Sequence, residues 1–396
     1  MNKKKEIVPK FRFPKYVNSE QWISTELSSL LDYERPDLYI VESDNYKNEG
    51  IPVLTANKSF ILGYTDEKNN IYSRVPVIIF DDFTTEKKYV DFPFKVKSSA
   101  IKILKPKGNN VLKFVFELMN TINFEAKEHK RYYISTYQKL FVCVPKDVKE
   151  QQKIADCLFS IDDLIDAESR KLKALEKYKK CLMQKLFPAE GKTLPEWRFP
   201  EFQGCGEWKY EEIGNIGKVI TGKTPSTSDA ALWDGDIQFV TPTDITENKY
   251  QHHTQRTVVK TPKIKVLPKH TIMFTCIASI GKMALSLYPC ITNQQINSIV
   301  PKSCYNNEFI YYSLLQKTFL IKAGFVNSTL PIINKTDFSK IQVPVILDKK
   351  EQQKIAECLS EADTMIEEQS NKVEQLKAHK KGLMQGLFPS LEEADV

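Results

Sequence analysis

Residues 150–188 read EQQKIADCLFSIDDLIDAESRKLKALEKYKKCLMQKLFP, and residues 351–389 read EQQKIAECLSEADTMIEEQSNKVEQLKAHKKGLMQGLFP. The two stretches share 21 of 39 positions without a gap. An internal repeat of this strength organises the whole chain. In the first copy, one series of every seventh residue is Ile154, Ile161, Glu168, Leu175, Leu182. A second series is Leu158, Ile165, Leu172, Lys179, Leu186. In the second copy the series are Ile355, Ala362, Gln369, Leu376, Leu383 and Leu359, Ile366, Val373, Lys380, Leu387. The polar breaks fall at the same two places in both copies. Period seven sustained over four to five heptads predicts two long helices that pair along a narrow seam. Pro188 and Pro389 predict where each helix stops. Acids crowd the first half of the 150–188 stretch and bases the second, which suits the helix dipole.

The repeat reaches beyond the helices. PKFRFPKY (9–16) matches PEWRFPEF (195–202), and Trp22 and Trp208 each follow eight residues after the second proline, Pro14 and Pro200. Two dissimilar stretches lie between these landmarks. Both read as short strands followed by one helix. In the first, IPVLTA, FILGYT and VPVIIFDD are strand-like, and VLKFVFELMNTI is helical. In the second, IQFVTP, TIMFTCIASIG (271–281), MALSLY and INSIVP are strand-like, and EFIYYSLLQKTFLI is helical. The expected class is α+β, with two α/β variable domains separated by two long helices in an antiparallel coiled coil, a pseudo-two-fold internal repeat. The expected boundaries are an N-terminal repeat segment (1–19), a first variable domain (20–147), a central helix (148–190) and a linker (191–205). A second variable domain (206–346), a C-terminal helix (347–390) and a tail (391–396) follow. A helix over 154–186 spans roughly 50 Å at ~1.5 Å per residue. That is about 15 base pairs of B-DNA at ~3.4 Å each. Antiparallel pairing would put a pseudo-two-fold axis between the helices, with a variable domain at either end, matching the dyad of a duplex.

Composition bounds the function. The chain has 396 residues, of which 41 % are hydrophobic and 27 % charged, the balance of a multidomain globular protein. No apolar run approaches the ~18–20 residues that cross a bilayer, and the basic start is followed by no apolar signal segment. No membrane association is expected, and the expected location is cytoplasmic. Eight cysteines show no zinc-type spacing, so they read as reduced thiols. The net charge of +7 permits nucleic-acid binding.

Three local patterns imitate active sites. GKVITGKT (217–224) satisfies the phosphate-loop spacing, but Val219 and Ile220 read as a strand, and Pro225 with STSD favours a turn over the helix such a loop opens. Asp81, Asp82, Glu86 and Lys88 offer a nuclease-like cluster, yet so tight a spacing fits a solvated hairpin tip. His252 and His253 lack acidic companions and read as exposed loop. No catalytic residue and no metal site is expected. Neither an Asn-Pro-Pro-aromatic nor an Asp-Pro-Pro-aromatic methyltransferase tetrapeptide occurs.

The whole chain resembles the specificity subunit of type I restriction–modification systems. The resemblance rests on the paired EQQKIA…LMQ.LFP helices, the RFP segments and the variable domain before each helix. GKTPSTSDAALWDGDIQFVTPTDI, ASIGKMALS, TNQQINSI and NSTLPIINKTDFSKIQVPV add to it, as do PVLTANKSFILGYTDE and VIIFDDFTTEKKYVDFPFKVKSS. It implies a non-catalytic subunit that reads a gapped, two-part target in double-stranded DNA, one half per variable domain. It also implies docking of two modification subunits, which use S-adenosylmethionine to methylate adenine. Restriction subunits, using ATP and Mg2+, would complete the assembly. No cofactor is expected in this chain itself. A stand-alone nuclease or ATPase, or a scaffold without DNA affinity, are the competing readings.

Polar and basic loop residues beside strands are the DNA-contact candidates. In the first domain these are Lys58, Tyr64, Thr65, Arg74, Thr84, Thr85, Lys87, Lys88, Lys97 and Ser98. In the second they are Lys223, Thr224, Ser226, Thr227, Lys282, Asn293, Gln294, Gln295, Asn327, Ser328 and Thr329. Asn293–Gln295 reads equally well as a buried polar turn that supports the sheet.

Overall fold

The computed structural model describes residues 7–57, 59–277, 280–325 and 332–389. The chain divides into two compact units, Met1–Glu168 with Val373–Val396, and Ser169–Lys372. The long helices are shared between them, so each unit contains part of both.

The first unit holds strands β1 (Ile23–Glu26), β2 (Leu31–Glu34), β3 (Ile51–Leu54), β4 (Ile61–Thr65), β5 (Val77–Asp81), β6 (Lys87–Val90), β7 (Lys95–Val96) and β8 (Ile101–Pro106). Helix α1 (Leu112–Thr121) and strand β9 (Phe141–Val144) lead into helix α2 (Val148–Leu186). One sheet has the order β2-β8-β5-β6, and a second has β4-β3-β7, with β3 and β7 parallel. β1 pairs antiparallel with β9 and ties the start of the domain to the approach of α2.

The second unit repeats this plan. Its elements are β10 (Lys209–Glu212), α3 (Ile213–Ile216), β11 (Gly217–Thr221), β12 (Trp233–Val240), β13 (Tyr250–Gln251), β14 (Arg256–Val258), β15 (Ile272–Thr275), β16 (Met283–Ser286), β17 (Cys290–Thr292) and β18 (Ile296–Pro301). They are followed by α4 (Asn307–Phe325), α5 (Lys335–Ser339), β19 (Gln342–Val345) and α6 (Lys349–Leu387). The orders β11-β18-β15-β16 and β14-β12-β17 reproduce those of the first unit, β12 and β17 are again parallel, and β13 is an added edge. β10 pairs with β19 as β1 does with β9. Two sequences with little in common therefore follow one topology. The fold is α+β, with two β-rich domains and two long helices packed together.

The expected strand 271–281 is shorter than its apolar run suggests. It ends at Thr275, whose amide and hydroxyl both bond to Lys282, so the chain has already turned back towards β16.

Both long helices begin on an aspartate. Asp147 Oδ1 accepts the Lys149 amide and Asp348 Oδ1 the Lys350 amide, each at 2.8 Å, which satisfies donors that a helix start leaves free. They end at Leu186 and Leu387, just before Phe187–Pro188 and Phe388–Pro389. Within the first unit, Asp162 of α2 meets Lys380 of α6 at 2.6 Å, while Ile154 and Leu158 share a core with Leu387. Within the second, Lys179 pairs with Asp363, while Leu182 and Leu186 share a core with Ile355, Leu359 and Ala362. Numbers rise along one helix as they fall along the other, so the pairing is antiparallel in each unit. Ile161, Ile165, Leu172, Leu175, Ile366, Leu376 and Leu383 are half-buried and Val373 is buried, whereas most neighbours off the seam are exposed.

Candidate nucleic-acid interface

Each β-rich domain is fastened to a helix start by the same construction. Arg12 Nε and Nη2 each donate to Glu150 at 2.8 Å, and Arg198 repeats the fork on Glu351. All four side chains are nearly buried, and the carboxylates are only 2 % and 1 % exposed. Each carboxylate raises its guanidinium above the ordinary arginine value, through the hydrogen bond first. Next along each helix, Gln151 accepts the Val111 amide and donates to the Pro145 carbonyl, and Gln352 does the same with Asn306 and Ile346.

The far end of the other helix docks on the same domain. Phe388 packs edge-on to Trp22 and beside Phe114, and Phe187 packs against Trp208 and Phe309. The Phe11 amide donates to the Gly386 carbonyl at 2.8 Å, and Trp197 to Lys185 at 2.9 Å. A Cβ on Gly386 would lie 2.0 Å from the Phe11 ring, so a side chain there would displace that ring; in the other copy the position is Lys185, whose ammonium lies over the Trp197 ring. The ten-residue recurrence at the helix ends thus marks two equivalent docking points, one in each unit.

Inside the helix–domain junctions lie charged clusters. Lys380 reaches both Asp162 and Glu117 of α1, at 2.6 and 2.9 Å. Lys179 reaches Asp363, which accepts the Tyr312 hydroxyl. Burial pushes Glu117 above the usual carboxylate range despite Lys380. In the second unit, Lys249 lies beside Glu308 and donates to Ser360 at 2.7 Å, and burial lowers it below the lysine range.

The active-site imitations resolve structurally. GKVITGKT is strand β11 running into a turn, where a Cβ on Gly222 would strike the carbonyls of Thr292 and Asn293. No helix follows directly to receive a phosphate. The β5–β6 turn is a hairpin whose Glu86 is exposed, as expected of a solvated tip, but its two aspartates are buried. Asp82 is buried on Lys102 at 3.0 Å and accepts the Tyr133 amide, and Asp81 accepts the amides of Phe83 and Thr84. The partners of Asp82 arrive from β8 and the 131–137 segment, which a local reading does not see. His252 and His253 are exposed loop residues. Burial raises the thiols of Cys276 to about 11 and of Cys290 to about 12, leaving them poor nucleophiles. Among the described residues, no group of three or more His, Cys, Asp or Glu is placed to hold a metal, and no helix is long and apolar enough to cross a membrane.

The candidate contact residues divide by environment. Lys58, Asn327, Ser328 and Thr329 lie outside the described residues. Thr65 and Thr85 are buried, as is Asn293, whose amide is engaged with Gln295 across a tight turn. These three do not offer an open surface, because β-sheet and turn contacts absorb them. Arg74 is exposed but held by Glu34 and Tyr39, and Lys97 by Asp44. Thr84 and Ser226 are exposed and bonded to Asn57 and Ser228 respectively. Tyr64, Lys87, Lys88 and Ser98 are half-buried, and burial lowers Lys87 below the lysine range. Lys223, Thr227, Lys282 and Gln294 are exposed, and Gln294 accepts the Thr224 hydroxyl at 2.7 Å.

Residues 206–378 match the sequence model of the type I restriction modification DNA specificity domain. The Escherichia coli type I restriction enzyme EcoR124I/EcoR124II specificity subunit is 33 % identical over 369 residues, 87 % of each chain. The specificity subunit of the Methanocaldococcus jannaschii MjaIX enzyme is 33 % identical over 179 residues, 43 % of this chain and 41 % of the relative. Among solved structures, the S subunit of a type I restriction-modification system from M. genitalium superposes with a TM-score of 0.69 at 17 % identity, covering 97 % of this chain and all of the other. The long match to the Escherichia coli subunit extends across both repeats. The chain belongs to the specificity subunits of type I restriction–modification enzymes, a non-catalytic family that needs no cofactor of its own.

Proposed function

We propose that this chain is the sequence-reading subunit of its complex, recognising a bipartite, gapped target in double-stranded DNA with one half read by each β-rich domain. The observation that carries the reading is the contrast between frame and surface. Strand order, the Arg–Glu fork and the Trp–Phe dock are common to both units, while the loops between them differ. A duplicated frame with divergent surfaces suits two different half-sites. The long helices would set the unread gap and dock two modification subunits. Those subunits would supply S-adenosylmethionine-dependent adenine methylation, and restriction subunits would add ATP- and Mg2+-dependent cleavage. A structure of 13 % identity and TM-score 0.55, from work on complex assembly and conformational transition of the type I R-M system, shares the fold and makes assembly a natural role.

The test is a map of methyladenine across the source genome with and without this gene. A gapped two-part motif that disappears on deletion supports the reading. An unchanged map from a system shown to methylate sinks it. Exchanging residues 206–346 for those of another such subunit should then change one half of the motif only.

A further inference from the structure

The second unit carries an arginine whose placement singles it out. Arg256 on β14 lies over the face of Trp233 on β12, 3.4 Å from the ring centroid. The indole is itself fixed, because its N–H donates to the Ser226 carbonyl at 3.0 Å and its ring packs edge-on to Phe239. Stacking holds a guanidinium by its plane and leaves its N–H edge free to bond. Arg256 is exposed, and among the described residues no carboxylate pairs with it. Arg12, Arg74 and Arg198, by contrast, are all spent on glutamates.

Beside Ser226 lies a concavity of about 340 Å³ whose wall includes Lys223, Lys263 and Lys265 and no carboxylate. Lys265 also faces Lys218, and that neighbouring ammonium lowers it below the lysine range. None of these four lysines has an acidic partner among the described residues. In the first unit Lys47, Lys95, Lys97, Lys102 and Lys105 are each neutralised by an acid. Like charges gathered without counter-charge call for a polyanion.

We infer that Arg256, fixed on Trp233, reads a guanine edge in the half-site of the second domain, while Lys218, Lys263 and Lys265 hold the adjacent phosphates. This rests on the DNA-reading function proposed above. The division of labour follows from chemistry. A fork of fixed donors matches guanine O6 and N7, whereas a lysine is a point charge that attracts any phosphate.

The test uses the complete complex with its modification subunits. R256K keeps the charge and loses the fork, and R256A removes both. Methyladenine mapping in cells carrying either variant should show one position of one half-site relaxed from guanine to mixed bases. The purified R256K complex should prefer the guanine duplex over its substituted version by about ten- to a hundredfold less than the parent does. A K263A/K265A complex should keep the motif, bind more weakly on all duplexes, and lose roughly 0.9 from the slope of log affinity against log salt for each phosphate contact removed. An unchanged motif with R256K, or a uniform loss of affinity without relaxation, overturns the role of Arg256. An unchanged salt slope overturns that of the lysines. Either result would leave a motif that depends on this gene standing, so failure here is distinct from failure of the wider function.

Discussion

Arg198 grips Glu351 with two parallel hydrogen bonds of 2.8 Å, and both side chains are nearly buried. The pair joins the segment leading into the second β-rich domain to the first turn of α6, 153 positions later. Arg12 and Glu150 make the same joint at 138. Removing one partner of such a pair strands a buried charge, which costs roughly 3–5 kcal/mol. R198M should therefore lower the urea midpoint far more than loss of a surface pair such as Lys107–Asp32, worth about 0–1 kcal/mol. R12M should behave alike. A midpoint within error of the parent would show that the fork is not a structural joint.

The two tryptophans look equivalent in sequence and are not equivalent in bonding. Trp22 Nε1 donates to Glu150 at 3.3 Å, but the indole N–H of Trp208 is buried with no partner among the described residues. Deleting a satisfied donor loses a hydrogen bond, whereas deleting an unsatisfied one relieves a desolvation cost of about 1–3 kcal/mol. W22F and W208F lose similar ring area, so W22F should be the more destabilising by about 1 kcal/mol or more. Thermal unfolding of the two variants measures the difference, and equal losses would contradict it.

How much of this was legible depends on how local each cause is. The seam was readable because a seven-residue period is written in neighbouring residues, from Ile154 to Leu186 and again from Ile355 to Leu387. The polar breaks Lys179 and Lys380 were visible too, although their partners Asp363 and Asp162 lie on the other copy. The Arg–Glu fork was missed, yet a signal existed, since arginine and glutamate recur at matching places in both repeats. The contact surface was least legible. Whether Lys97 is free depends on Asp44, 53 positions away, and whether Asp82 is solvated depends on Lys102 and Tyr133. Arg256 is not legible in the sequence because its placement comes from Trp233, a cross-strand neighbour that only the folded sheet supplies.

Glu117 predicts a pH dependence. Burial raises its carboxyl above the ordinary value of 4.5, against the pull of Lys380, and among the described residues its Oε2 has no hydrogen-bond partner. A group whose folded pKa is raised contributes stability that is complete below the unfolded value and lost as pH rises through the folded one. E117Q removes that loss while leaving Lys380 its Asp162 partner. Stability of E117Q relative to the parent should thus improve as pH rises from about 4.5 towards neutrality, by at most about 1.4 kcal/mol per pH unit. Urea titrations across this range measure it, and a difference that does not vary with pH would refute the assignment.

The last prediction concerns the helices as a spacer. Asp162 faces Lys380 and Asp363 faces Lys179, so in each unit the facing residue numbers sum to the same total. Seven residues added after Arg170, with seven added after Asn371, would therefore enter at facing points. A whole heptad returns every seam residue to its phase. It lengthens each helix by ~10.5 Å, about three base pairs of duplex. If the helices set the gap, the methylated motif should keep both half-sites and gain about three unread base pairs. Adding the heptad to α2 alone should instead slip Lys179 or Asp162 off its partner and destabilise the pairing without giving a clean new spacing. A double insertion that folds, methylates and keeps the parental gap would mean that something other than the helices determines the separation.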